Sequence, residues 1–222
     1  MRRTPVYIVC SPRPQVGKTL LARVLTEFLL FQHGDVLAFD VSLREPSLVD
    51  FLPRQTETAD VSDTFGKMAL MDRLIANDGV PKVVDLGYHA FDEFFRMCDE
   101  IGFTKEAVRR GVDPVILYVP DAHRASVQGF RMLREKFPDI VLLVIDNEYV
   151  MRGEMPPALA AAPSLHLSAL PAFLRTYFER LSFSFTAYVR DRNNTPTELF
   201  QWIWRSYVSF RDLGLNLSRY HR

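Results

Sequence analysis

The sequence predicts an α/β domain, a three-layer sandwich in which helices cover both faces of a mostly parallel central sheet. Three observations carry this expectation. Short apolar, β-branched runs recur along the chain, and most are continuous rather than alternating, as strands buried on both faces are. Longer amphipathic stretches separate them. No internal repeat or long polar linker divides the 222 residues, so one domain, 1–222, is expected. A chain of this length buries roughly 70% of its unfolded surface and needs no disulfide staple.

Taken in order, the expected strands are Val6–Cys10, Val36–Phe39, Lys82–Leu86, Val115–Val119, Ile140–Ile145 and Leu165–Leu167. Between the first two, Leu21, Val24, Leu25 and Phe28 share one helical face. After the third, Phe91, Phe94, Phe95, Cys98 and Ile101 do the same. The stretch from Met151 to Pro163 is rich in Ala and Pro and reads as a surface loop. Thr195-Pro196-Thr197-Glu198 forms a capping box with proline at the first helical position, opening a helix from Pro196 to about Arg211. Phe200, Trp202, Trp204, Tyr207 and Phe210 make that helix aromatic, with Arg205, Arg211, Arg219 and Arg222 among or after them. Phe200, Ile203, Tyr207 and Phe210 fall on one stripe. That favours packing on the domain or at a dimer interface over a membrane-surface role, because the arginines are too dispersed to form a polybasic cluster.

Lys plus Arg and Asp plus Glu both number 27, a balance that argues against a general nucleic-acid clamp. With 48% hydrophobic and 24% charged residues, the composition is an ordinary globular mix and argues against whole-chain disorder. Cys10 and Cys98 form no CxxC pair and read as buried free thiols in a reducing compartment. The apolar run after Met1-Arg2-Arg3 is too short for a signal peptide, and no stretch approaches the ~20 apolar residues of a spanning helix. The expected location is the cytoplasm.

The segment richest in chemistry is Val6-Tyr7-Ile8-Val9-Cys10-Ser11-Pro12-Arg13-Pro14-Gln15-Val16-Gly17-Lys18-Thr19, followed by an apolar helix. A buried strand running into a loop that opens a helix at Gly-Lys-Thr is the context a phosphate-binding P-loop requires. Backbone N–H groups from Gln15 to Thr19 are placed to wrap a β-phosphate, and the helix N-terminus adds about half a positive charge. Lys18 is the candidate bridge between β- and γ-phosphates, and the Thr19 hydroxyl the candidate Mg²⁺ ligand. Pro12 stands where the Gly-x-x-x-x-Gly-Lys-Thr pattern has its first glycine, and Pro14 has no N–H to donate. Downstream, Val83-Val84-Asp85-Leu86-Gly87 has the apolar-apolar-Asp ending of a second metal-site strand. Asp85 is expected to hold Mg²⁺ through water, and Gly87 to offer its N–H near the γ-phosphate. His89, beside Tyr88, reads as a surface histidine.

These motifs, in this order, resemble the deviant Walker A ATPases of the ParA/MinD type. The resemblance runs from about Tyr7 to Asn147. In the loop, Arg13 stands at the family's signature lysine, while Pro14 and Gln15 replace two glycines. The segment Leu37-Ala38-Phe39-Asp40-Val41-Ser42-Leu43-Arg44 is similar to the family's Asp-Phe-Asp-Ile-Gly-Leu-Arg, with Ala38 at the first aspartate. The resemblance implies that Asp40 positions the attacking water and that Arg13 reaches a partner subunit's nucleotide. It implies ATP and Mg²⁺ as ligands and slow hydrolysis coupled to an ATP-dependent homodimer. That dimer would position a cargo or partner protein at the nucleoid, membrane or cell pole. Asn147, after the fifth expected strand, either bonds the adenine edge or turns the chain. Leu170-Pro171 is a candidate start of the loop lining the adenine pocket. Two other classes share the loop: a biosynthetic enzyme resembling dethiobiotin synthetase, and a nucleotide-binding scaffold that has lost hydrolysis.

Overall fold

The computed structural model describes residues 3–41 and 47–220, with side chains to 217. Ser42, Leu43 and Arg44 of the segment compared above, and Arg222, lie outside the described residues, as does the side chain of Arg219.

Seven strands form one all-parallel sheet: β1 (Thr4–Cys10), β2 (Leu37–Val41), β3 (Thr56–Thr58), β4 (Lys82–Leu86), β5 (Val112–Tyr118), β6 (Val141–Asn147) and β7 (Ser164–Leu167). The helices are α1 (Lys18–His33), α2 (Leu48–Phe51), α3 (Thr64–Leu74), α4 (Phe91–Glu100), α5 (Phe103–Arg110), α6 (Arg124–Lys136), α7 (Pro157–Ala160), α8 (Ala172–Phe178), α9 (Phe185–Arg190) and α10 (Glu198–Tyr220). The spatial order is β3-β2-β4-β1-β5-β6-β7. The chain leaves β1 toward β2 on one side and leaves β5 toward β6 on the other. Loops at the carboxyl ends of β1 and β5 therefore diverge, and open sheets bind ligands beside such a divergence.

The pleat of β1 divides the core. Val6, Ile8 and Cys10 pack with Phe91, Phe94 and Phe95 of α4 and Phe130 of α6. Tyr7 and Val9 face the opposite layer, with Leu21, Val24, Leu25 and Phe28 of α1 and Trp202, Ile203 and Tyr207 of α10. This is the expected three-layer sandwich. Ring centroids of Phe28 and Tyr207 lie 5.3 Å apart, and those of Phe28 and Phe210 5.7 Å apart, so the aromatic stripe of α10 is buried on α1. Trp204 is exposed and stacks on Phe200. No helix among the described residues is long and apolar enough to cross a membrane. Cys10 and Cys98 are buried and free, and burial raises both thiol pKa values.

Several boundaries move. β3 has no apolar run to announce it, because Thr56-Glu57-Thr58 is a short polar strand at the sheet edge. β2 runs on through Asp40, and β6 through Asp146 and Asn147. Ile101 lies beyond α4 in a turn and is exposed. The stretch 151–163 contains one helical turn, α7. α10 begins at Glu198: the Thr197 hydroxyl accepts the Phe200 N–H at 3.2 Å, so Thr197 is the cap and Pro196 lies outside the helix.

Candidate phosphate-binding cleft

β1 ends at Cys10, and the chain turns through Ser11 to Gly17 before α1 begins at Lys18. Gly17 has φ 91° and ψ 20°, and a Cβ there would come within 2.8 Å of Asn147 Nδ2. Glycine is thus required both for conformation and for space. Gln15 also takes a left-handed φ of 58°, which costs a non-glycine residue about 1 kcal/mol. The result is a concave run of donors. Among the described residues, the N–H groups of Gln15, Val16, Gly17, Lys18 and Thr19 find no acceptor in the protein. Lys18, 8% exposed, folds back over this run, its Nζ donating to the Arg13 carbonyl at 2.6 Å. Burial lowers the pKa of its ammonium, opposed by the negative charge of Asp85.

Parallel pairing sets Asp85 of β4 opposite Asp40 of β2, both 1% exposed. Like charges opposed in a sheet are destabilising unless something compensates them. Burial raises the Asp85 carboxyl to about 7, and the charge of Asp40 adds to the rise. The neighbouring Thr19 hydroxyl and Lys18 act the other way. Asp85 Oδ2 is buried and, among the described residues, has no hydrogen-bond partner. An orphaned carboxylate oxygen, a second carboxylate and a threonine hydroxyl are hard oxygen donors, and they suit Mg²⁺. Asp40 is already engaged: its Oδ2 accepts the Val49 N–H at 3.0 Å, at the start of α2.

The structure brings most of the expected residues to this edge, but gives three of them other work. The Gly87 N–H, expected to face a γ-phosphate, instead donates to the Val41 carbonyl at 3.2 Å, tying the end of β4 to β2. Glycine is needed there because a Cβ would fall 2.5 Å from His89 Cε1 and 2.8 Å from that same carbonyl. Asn147 is 5% exposed and has both ends of its amide occupied. Its Nδ2 donates to the Val16 carbonyl at 3.0 Å, and its Oδ1 accepts the Tyr149 N–H at 3.2 Å. It braces the loop before α1 and turns the chain. Arg13, expected to reach a partner subunit's nucleotide, is ion-paired with Asp121 after β5, Nε to Oδ2 at 2.9 Å. Asp121 is held in turn by the Ser126 hydroxyl at 2.6 Å and the His123 N–H at 3.0 Å.

The loop opens into a cleft of about 580 Å³, within the range of small-molecule sites. Gly17, Lys18, Thr19 and Asp85 line one part of it, and Tyr149, Leu170, Arg175, Phe178 and Trp202 the other. The second wall is fastened by a clasp that the sequence does not announce. Arg23 of α1, 2% exposed, donates to the carbonyls of Phe178 and Phe183. Its guanidinium lies over the Phe51 and Phe185 rings, 4.3 and 4.9 Å from their centroids. Glu27, one turn on, lies 3.6 Å from Arg23 and accepts the Ser184 hydroxyl at 2.6 Å and the Thr186 N–H at 3.0 Å. An Arg–Glu pair at i, i+4 reads as a surface ion pair. The available signal was its position inside a helix that is apolar on nearly every side.

Fold and site thus define an α/β protein with a seven-stranded all-parallel sheet and, at its carboxyl edge, a loop whose amides are unpaired among the described residues. The chain matches no protein-family model and no curated protein sequence.

Proposed function

We propose that this protein binds ATP with Mg²⁺ in the cleft and hydrolyses it slowly, as a switch of the ParA/MinD type. The observation that carries the reading is the run of five unpaired amides, Gln15 to Thr19, beneath Lys18 at the start of α1. Anionic phosphate oxygens are the ligands such a run accepts. Lys18 exchanges the Arg13 carbonyl for phosphate and neutralises its charge. Thr19 and Asp85 hold the metal, which supplies electrostatic stabilisation of the phosphates. Asp40, beside Asp85, orients water. The ATP-bound form pairs with a second copy and is read by a partner or cargo protein. A role for Arg13 across that dimer requires its ion pair with Asp121 to open.

One observation favours a second reading, a nucleotide-binding scaffold without hydrolysis: the Asp40 carboxylate is engaged by the Val49 N–H. Phosphate release from ATP decides between them. Slow release by the wild type, lost in Asp40→Ala while ATP still binds, supports the switch ATPase. Wild-type release in Asp40→Ala removes Asp40 from catalysis, and ATP binding with no release favours the scaffold. Release only when a carboxylic acid substrate is added would favour the biosynthetic class.

A further inference from the structure

We infer that the part of the cleft beyond the phosphate loop is a stacking platform for a nucleobase, built from Tyr149 and Arg175, and that it holds purines without reading their edges. The inference rests on the phosphate-loop reading above and adds the base specificity of that same site.

Tyr149 is 41% exposed in a protein that buries most of its aromatic residues. It follows β6 and faces the cleft. The Arg175 guanidinium, from α8, lies 3.2 Å from the Tyr149 ring centroid. Arg175 is half-buried, yet among the described residues no carboxylate or carbonyl accepts a hydrogen bond from it. Its position is therefore set by the ring and by α8, whose C-terminal residue Phe178 is fastened through its carbonyl to Arg23. A planar cation held on an aromatic ring is a surface on which a heteroaromatic base stacks. Leu170 and Phe178 add apolar wall. The platform shares its cleft with Lys18, and the volume of about 580 Å³ lies within the range of small-molecule sites.

Several of the groups that could read a base edge are already engaged within the protein. Both ends of the Asn147 amide are bonded within the protein. The Ser168 carbonyl accepts the Trp202 indole N–H at 2.7 Å. Glu148 Oε2 accepts the Ala169 N–H at 2.9 Å. Glu179, also at the cleft, is exposed, so its bond to a base would compete with water. Stacking on a π-face tolerates any purine, whereas a pocket that hydrogen-bonds its ligand discriminates by about 10⁴-fold.

Calorimetry with ATP, GTP and inorganic tripolyphosphate, each with Mg²⁺, tests this. ATP and GTP are expected to bind within about fivefold of one another, and tripolyphosphate about tenfold or more weaker, the scale of one base–aromatic stack. Tyr149→Ala and Arg175→Ala should each bring ATP down toward tripolyphosphate without changing tripolyphosphate itself, and Tyr149→Phe should retain the difference. Preference for ATP over GTP beyond about 100-fold would mean the edge is read and would overturn the inference. So would an unchanged ratio of ATP to tripolyphosphate affinity in both alanine variants, with the phosphate loop left standing. Failure of the wild type to bind either ligand would overturn the phosphate-loop reading, and the platform with it.

Discussion

The two parts of the cleft are assembled differently. The side built on the loop from Ser11 to Gly17 is local: strand, turn, Lys18 and Thr19 follow one another along the chain, and Asp85, Asp40 and Asn147 join them from other strands. The opposite wall depends on contacts across long sequence separations, above all Arg23 of α1 with the Phe178 and Phe183 carbonyls. A local site can be rigid through backbone geometry alone. A wall assembled from distant segments needs a fastening, and here the fastening is a buried charge. The two parts should therefore fail separately under mutation.

The largest expected effect is on the wall. Arg23→Met leaves Glu27 buried without its cation, and breaking a buried pair from one side destabilises by about 3–5 kcal/mol. Urea unfolding should show that loss, and the double variant Arg23→Met, Glu27→Leu should recover part of it. A loss under about 1 kcal/mol in the single variant would show that the clasp does not hold the wall.

A second effect, on the Asp85 side of the cleft, is a dependence on pH. The folded Asp85 carboxyl is raised from 3.8 to about 7. A raised acid contributes stability that is present below its unfolded pKa and lost as pH rises through the folded one. Without ligand and metal, Asp85 should therefore cost stability progressively from about pH 4 to pH 7. Asp85→Asn should flatten that decline and melt above the wild type at pH 8. Parallel melting profiles for the two proteins would contradict the assignment.

The smallest effect sharpens the division between the two parts. Asn147→Ala removes the brace on the Val16 carbonyl, worth about 1 kcal/mol. ATP and tripolyphosphate affinities should fall together, because the loop loosens. A fall for ATP alone would return Asn147 to the base edge.

The same contrast explains what the sequence made legible. β1, the loop and α1 could be read because an apolar run, Gly17-Lys18-Thr19 and a helical stripe lie next to one another. Asp85 could be read as the end of a continuous apolar strand. The engagement of the Gly87 N–H could not, because its acceptor, Val41, belongs to a neighbouring strand. On local grounds Thr195 is the better cap, with Pro196 and Glu198 behind it, but its hydroxyl donates to the Arg192 carbonyl. The choice between Thr195 and Thr197 is made by the turn in which the Thr195 N–H donates to Arg192, leaving Thr197 to begin the helix. Arg23 and Glu27 were hidden by their charge, since buried charges are rare and their partners sit more than 150 residues away.

Gln15 to Thr19, with Lys18, are proposed to bind a triphosphate. Calorimetric titration of Mg²⁺-ATP into the wild type and Lys18→Ala tests this proposal most directly. Clear binding is expected for the wild type, with a loss of at least about 1.5–3 kcal/mol in the variant, the scale of a charged hydrogen bond. Binding unchanged in Lys18→Ala, with the variant folded, would contradict it.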